Sequence, residues 1–211
     1  MKTLLIILGT LLAVGTWASD ENTTPREIYL IRHAPVAMEK PALCSSHKAA
    51  HLLEQYNELP IVAFDPVPIR QLLPENELTV FTSTLPRAKQ TAQILFPSDS
   101  LRSSPLFNEY RLGMISVPVL QLPYPAWTGL SRFFWLTYLN NKGEGRIESR
   151  KRMKQAIDFL EKQSQQKERI VLVAHGYLIA EMRREFKKRG WKVEVNGGNK
   201  NLAVSKLTFD E

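Results

Sequence analysis

Two segments of the chain are apolar at almost every position and rich in β-branched residues, Ile28 to Arg32 and Ile170 to Ala174. Continuous runs of this kind, unlike alternating ones, are what strands covered on both faces require. Leu78 to Ser83 and Leu202 to Phe209 complete the set of predicted strands. Helical spacing fills the intervals. Ser46 to Leu59 sets Ala49, Leu52, Leu53 and Tyr56 on one stripe, and Leu85 to Phe96 does the same with Ala88, Thr91, Ala92 and Leu95. Ile147 to Gln163 turns Ile147, Met153, Ile157 and Leu160 toward a core, and Tyr177 to Arg189 ends at Gly190. Strands alternating with helices predict an α/β protein, a three-layer α/β/α sandwich with a mostly parallel central sheet.

One stretch follows neither period. Residues 113–139 are apolar and proline-punctuated, and carry Tyr124, Trp127, Phe133, Phe134, Trp135 and Tyr138. An insertion there would reach over the rim of the sheet. It reads as core and lid, or as a greasy cover that admits an apolar leaving group or touches membrane, since exposed aromatics favour interfaces.

The N-terminus has its own pattern. Lys2, an apolar run from Leu4 to Val14 and Thr16-Trp17-Ala18 match a signal peptide over residues 1–19, with an uncleaved anchor or a buried helix as alternatives. This makes the protein exported, periplasmic or secreted, and membrane-anchored if the leader stays. The folded domain then spans 26–211. The net charge is +7, or +6 without the leader, which favours anionic ligands or membrane surfaces and says nothing about fold. The single cysteine, Cys44, allows no internal disulfide and reads as a small packed residue.

Chemistry gathers at three strand ends. Open α/β sheets place their sites beyond the carboxyl ends of parallel strands, and two histidines stand there, in Arg32-His33-Ala34 and His175-Gly176. A neutral imidazole can attack phosphorus, and the adjacent guanidinium can fork onto phosphate oxygens. The third cluster, Ser83 to Ala92, feeds a strand into a helix whose first turn carries Arg87, and helix N-termini favour anions.

Together these motifs resemble the histidine phosphatase superfamily, in its phosphoglycerate-mutase-like branch. The Arg-His-Gly signature stands as Arg32-His33-Ala34, the Ser-x-x-x-Arg-Ala-x-x-Thr-Ala signature is intact from Ser83 to Ala92, and the second histidine motif is His175-Gly176. The resemblance implies a phosphomonoester hydrolase that needs neither metal nor cofactor. His33 would be the nucleophile, while Arg32, Arg87 and His175 bind and neutralise the phosphoryl group. Glu109, in Glu109-Tyr-Arg-Leu-Gly113, would be the acid and base.

Departures narrow the reading. Where mutases continue with Gly-Glu-Ser-x-x-Asn, this chain has Ala34-Pro35-Val36-Ala37-Met38-Glu39, which loses two neutral polar contacts and gains a carboxylate. Hydrolysis is therefore expected over phosphoglycerate-mutase-type transfer, with a non-catalytic phosphate-binding domain as the competing class. Ala34 would cost about 1 kcal/mol if its backbone needs φ > 0. The expected substrate is a phosphorylated small molecule or lipid.

Other charged groups have plainer readings. Arg111 is a substrate contact or a solvated side chain. His47 and His51 have metal-ligand spacing on a helix but lack a third ligand nearby. The basic groups at 146–154, 183–184 and 187–189 read as solvated helix faces, and without a stacking platform no nucleic-acid partner is expected. Fused to a periplasm-dependent reporter, residues 1–25 are expected to direct export; a reporter that stays inside would remove the leader reading.

Overall fold

Pairing of the two apolar runs organises the molecule. In the computed structural model, which describes residues 25–75, 77–97, 100–140, 142–167 and 169–210, they lie side by side in parallel. In chain order the elements begin with β1 (Arg26–Arg32), β2 (Cys44–Ser45), α1 (Ser46–Glu58) and α2 (Val67–Arg70). Next come β3 (Thr79–Ser83), α3 (Pro86–Leu95), β4 (Leu101–Ser104), β5 (Gln121–Leu122) and α4 (Tyr124–Leu136). The chain continues with α5 (Arg146–Ser164), β6 (Arg169–Ala174), α6 (Gly176–Lys188), β7 (Lys192–Val195) and β8 (Val204–Phe209). A 3-10 turn, Pro105–Phe107, follows β4.

Six strands form one sheet in the order β4-β3-β6-β1-β8-β7. The first four run parallel, while β8 pairs antiparallel with β1 and β7 antiparallel with β8. The leader reading falls on residues 1–24, outside those described, and no described helix is long and apolar enough to cross a membrane.

Alternation along the strands gives the sheet two greasy faces. Ile28, Leu30, Ile170 and Leu172 pack with Met153, Ile157 and Leu160 of α5 and Leu178, Met182 and Phe186 of α6. Tyr29, Ile31, Val171 and Val173 turn the other way and meet Ala88, Ala92 and Leu95 of α3. Helices on both faces make the expected three layers. A third cluster, outside the sheet, joins Ala49 and Leu52 of α1 to Tyr124 and Trp127 of α4, and Cys44 is buried within it.

Several expectations change. β4 and β7 carry no apolar run because they are the sheet's edges, where Leu101-Arg-Ser-Ser104 and Lys192-Val-Glu-Val195 are largely open to solvent. Ile147 is 76% exposed rather than core-facing. It lies six residues before Met153, about 120° away around the helix, so the true stripe is Met153, Ala156, Ile157 and Leu160.

The aromatic stretch folds into α4 and is not a uniformly exposed cover. Trp127 and Trp135 are fully buried, and their indole N–H groups donate to Cys44 O and Glu144 O, both at 2.7 Å. Val119, Leu120, Phe133, Leu136, Tyr138 and Leu139 are the exposed large apolar members of the stretch. Of the basic helix groups, Arg150, Lys151, Lys154, Arg184, Lys187 and Lys188 face solvent as expected, whereas Arg146 pairs with Glu181, Arg152 with Glu144, Arg183 with Ser205 and Gly198 O, and Arg189 with Asp158 and Glu161. Burying such long side chains turns their charge inward onto acids and carbonyls of neighbouring elements.

Leu172, at the centre of the sheet and wholly enclosed, tests this packing. Leu172→Ala should lower unfolding free energy by about 2–5 kcal/mol. The check is a lower denaturant midpoint with an unchanged slope.

Candidate active site

Each catalytic candidate is placed by the end of a core element. His33 follows the last paired residue of β1, and its backbone N–H still donates to Ala174 O at 3.0 Å. His175 leaves β6 at the matching level and occupies the N-cap position of α6. Adjacent parallel strands in this register bring the rings to 5.1 Å between centroids, tilted by 57°.

The tautomer of His33 follows from its partner. Its Nδ1 lies 2.7 Å from Ala34 O, and a carbonyl oxygen can only accept. Nδ1 therefore carries the proton and Nε2 keeps its lone pair. The Ala34 N–H donates to Thr91 Oγ1 at 2.9 Å, and that hydroxyl donates to Arg87 O at 2.7 Å, so α3 fixes the loop after His33. Asn201 completes the support, donating to His33 O at 2.8 Å. Ala34 is fully buried and is not among the described non-glycine residues with positive φ, which are Val119, Tyr138 and Leu202. The glycine-to-alanine departure thus costs no backbone strain.

His175 is held from the other side. Its Nε2 lies 2.7 Å from Ser83 Oγ, and that hydroxyl donates to Asn108 Oδ1 at 2.7 Å. Ser83 Oγ has one proton to give, so Nε2–H is the donor in the first contact and Nδ1 is left unprotonated, enclosed and without a partner.

Two guanidinium groups border the histidines. Arg87, in the first turn of α3 and 3% exposed, donates to Asn57 Oδ1 at 2.9 Å and lies 4.9 Å from the Tyr56 ring centre. Arg32 donates to Asn199 O and lies across the start of α6, where a Cβ on Gly176 would come 3.1 Å from its Cζ. Only a residue without a side chain leaves that approach unhindered. Neither arginine forms an ion pair with a described residue.

Burial and these cations act together on the imidazoles. His33 is pushed down to about 3, first by burial, then by Arg87 and to a lesser extent by Arg32, against its bond to Ala34 O. His175 also falls well below the ordinary value, by burial first and then by Arg87 and His33. Both are therefore neutral at physiological pH, as a nucleophilic imidazole must be.

Glu109 follows the 3-10 turn and reaches the same rim. Its carboxylate accepts the backbone N–H groups of Tyr177 at 3.1 Å, Leu178 at 3.2 Å and Tyr110 at 3.1 Å. Two of these donors belong to the first turn of α6, where N–H groups have no helical partner and negative charge is favoured. A cavity of about 1060 Å³ opens beside it, lined among others by Arg87, Glu109, Tyr124, Arg132 and Tyr177.

The five residues expected from sequence thus converge. Arg111 borders the cavity with an exposed side chain, while Glu39, His47 and His51 face solvent. Among the described residues no group of three or more His, Cys, Asp or Glu is placed to hold a metal. Sequence reasoning missed Asn57, Asn108, Asn199 and Asn201. Asn108 stood beside Glu109, but the other three lie far along the chain and carry no local signal.

A family model described as histidine phosphatase superfamily (branch 1) matches residues 28–211. The chain belongs to that superfamily. Among solved structures, this superfamily member is similar to a mycobacterial glucosyl-3-phosphoglycerate phosphatase, at 17% identity and a TM-score of 0.56, over 88% of this chain and 91% of that one. It is also similar to a phosphoserine phosphatase from Entamoeba histolytica in complex with 3-phosphoglyceric acid, at 15% identity and a TM-score of 0.54, over 85% and 89%. An alpha-ribazole phosphatase from Shigella flexneri gives 19% identity and a TM-score of 0.50, over 85% and 89%. No curated protein sequence matches the chain. At these identities the structures share the fold.

The depressed histidines make stability depend on pH. The unfolded chain takes up protons below about 6.5, and the folded site refuses them until far lower pH, about 3 for His33. Their stabilisation is thus complete above pH 6.5 and lost as pH falls, at up to about 1.4 kcal/mol per pH unit for each ring. His33→Gln and His175→Gln should each show a shallower loss of unfolding free energy between pH 6 and 4 than the wild type.

Proposed function

We propose that the protein is a phosphomonoester hydrolase acting through a phosphohistidine intermediate. The observation that carries this reading is the neutral His33, its Nε2 lone pair unused, beside Arg32 and Arg87, neither of which forms an ion pair with a described carboxylate. A phosphoryl dianion supplies the missing charge, and two guanidinium forks match its oxygens.

In the first step His33 Nε2 attacks phosphorus. A nitrogen–phosphorus bond forms as the bond to the leaving oxygen breaks. That oxygen takes a proton from Glu109 and departs as an alcohol. Arg32 and Arg87 neutralise charge on the equatorial oxygens, which is where catalysis of phosphoryl transfer is concentrated, and His175 can donate to them from Nδ1 once the arriving dianion has drawn a proton onto that ring. In the second step Glu109 takes a proton from water, the water oxygen bonds to phosphorus, and His33 is released with inorganic phosphate. Glu109 suits this exchange because three backbone N–H groups hold it at the rim of the cavity that would admit the leaving group.

The test is hydrolysis of para-nitrophenyl phosphate, with acid-labile, base-stable phosphate trapped on the enzyme during turnover. His33→Ala should abolish both signals, and Glu109→Gln should lower turnover by about 10²–10⁴-fold. Chelators should have no effect. A wild type that binds phosphate without turnover would instead support a binding domain.

A further inference from the structure

Four arginines line the cavity, and three of them are accounted for. Arg87 belongs to the phosphoryl pocket, Arg111 is exposed, and Arg152 is held by both carboxylate oxygens of Glu144 at 2.8 and 2.7 Å and by the carbonyls of Leu106 and Asn108. Arg132 differs. Only 7% of it is exposed, yet its guanidinium makes no hydrogen bond or ion pair with any described residue, and its Nη1 is enclosed without a partner. What holds it is aromatic: the Tyr177 ring at 4.3 Å and the Trp135 ring at 4.9 Å. Ring faces stabilise a cation and fix its plane while leaving its N–H groups unsatisfied.

Its position is as informative as its lack of partners. Arg132 comes from α4, the wall facing the sheet rim, and it borders the same cavity as Glu109. Glu109 supplies the strongest opposing charge on it, yet the carboxylate is already committed to three backbone N–H groups. Tyr177, which stacks on Arg132, also donates one of those N–H groups. The other acids of the cavity are Glu144, engaged by Arg152, and Glu54, Glu58 and Glu148, which face solvent. A buried guanidinium whose N–H groups meet no described acceptor is costly unless a ligand completes it.

We propose that Arg132 is a specificity-determining residue that binds a carboxylate on the leaving group, so that the preferred substrates are phosphomonoesters of carboxylate-bearing alcohols. This rests on the phosphatase reading, because it identifies the cavity beyond Glu109 as the leaving-group side. The phosphoryl group is held by Arg32 and Arg87, and Arg132 holds the other end. The acid and base then stands between two anchored anionic groups. Two charge-assisted anchors fix the ester more tightly than one and reject neutral alcohols, which leave the guanidinium unsatisfied.

Two matched pairs test this: 3-phosphoglycerate against glycerol 3-phosphate, and 4-carboxyphenyl phosphate against phenyl phosphate. The wild type should prefer the carboxylate member of at least one pair by about tenfold or more in kcat/KM. Arg132→Met, which keeps an apolar stem between the rings, should erase that preference. It should lose about 10- to 100-fold on the carboxylate ester and stay within about threefold on its neutral partner. Arg132→Lys should retain part of the preference.

Calorimetric binding of the same esters to His33→Ala should show the same order. No preference in either pair, or an equal loss on both members in Arg132→Met, overturns the proposal and leaves the phosphatase reading intact. Preferential binding without turnover of any ester does the reverse. Neither turnover nor ordered binding sinks both.

Discussion

Because β1 and β6 pair in parallel through Arg32↔Ala174, two chain segments separated by 142 positions leave the sheet side by side and at the same height. Everything catalytic is referred to that register. His33 keeps one more bond to the ladder, through Ala174 O, before the chain turns away, and His175 begins α6 directly. A slip of β1 by one residue would move one ring about 3.3 Å past the other and turn Ile31 out of the face packed by α3. The site therefore inherits its precision from the most deeply buried strands, where a wrong register would cost most.

That same burial explains which parts of the fold were legible. β1 and β6 are covered on both faces, so their sequences had to be apolar throughout, and they stand out at once. β4 and β7 are edges with few side chains to bury, so selection for burial left no pattern in them. The helix stripes of α1 and α3, and that of α5 apart from Ile147, were readable for the converse reason, since each has one wet face. Within the site, the residues legible in advance are those that lie beside a strand end. Asn201 supports His33 from 168 positions away, and Asn57 meets Arg87 from another helix. Such contacts exist only after folding and have no local signature. Arg132 was obscured differently: it sits in an aromatic stretch that looked like a cover, and only burial of Trp127 and Trp135 revealed a wall with an inward face.

Electrostatics supplies the second constraint. The rim gathers Arg32, Arg87 and two imidazoles, and its nearest carboxylate is tied to the N-terminus of α6. Protonated rings would add to the charge of such a collection, and burial together with the neighbouring cations pushes both rings toward the neutral form. The stress is useful. A neutral imidazole is a nucleophile, whereas a protonated one is not, so in the proposed mechanism the cations that would bind the phosphoryl group also keep its attacker competent. Arrival of a dianion then relieves the repulsion among the groups that receive it, and transition-state charge is met by dipoles and cations already in place.

The two ends of the cavity are built on different parts of the chain, and this has a consequence for how the protein discriminates. In the proposed reaction the phosphoryl contacts would come from β1, α3 and the end of β6, whose positions are locked by sheet pairing and two large cores. The proposed leaving-group contact would come from α4, which packs mainly through Tyr124 and Trp127 on α1 and through Trp135 against Tyr110. Substitutions on the cavity face of α4 can therefore alter what is bound without disturbing the histidines. The coupling that remains runs through Tyr177, whose ring stacks on Arg132 and whose N–H holds Glu109. Chemistry and recognition meet at that one residue, in the first turn of α6, beside the histidine that caps it.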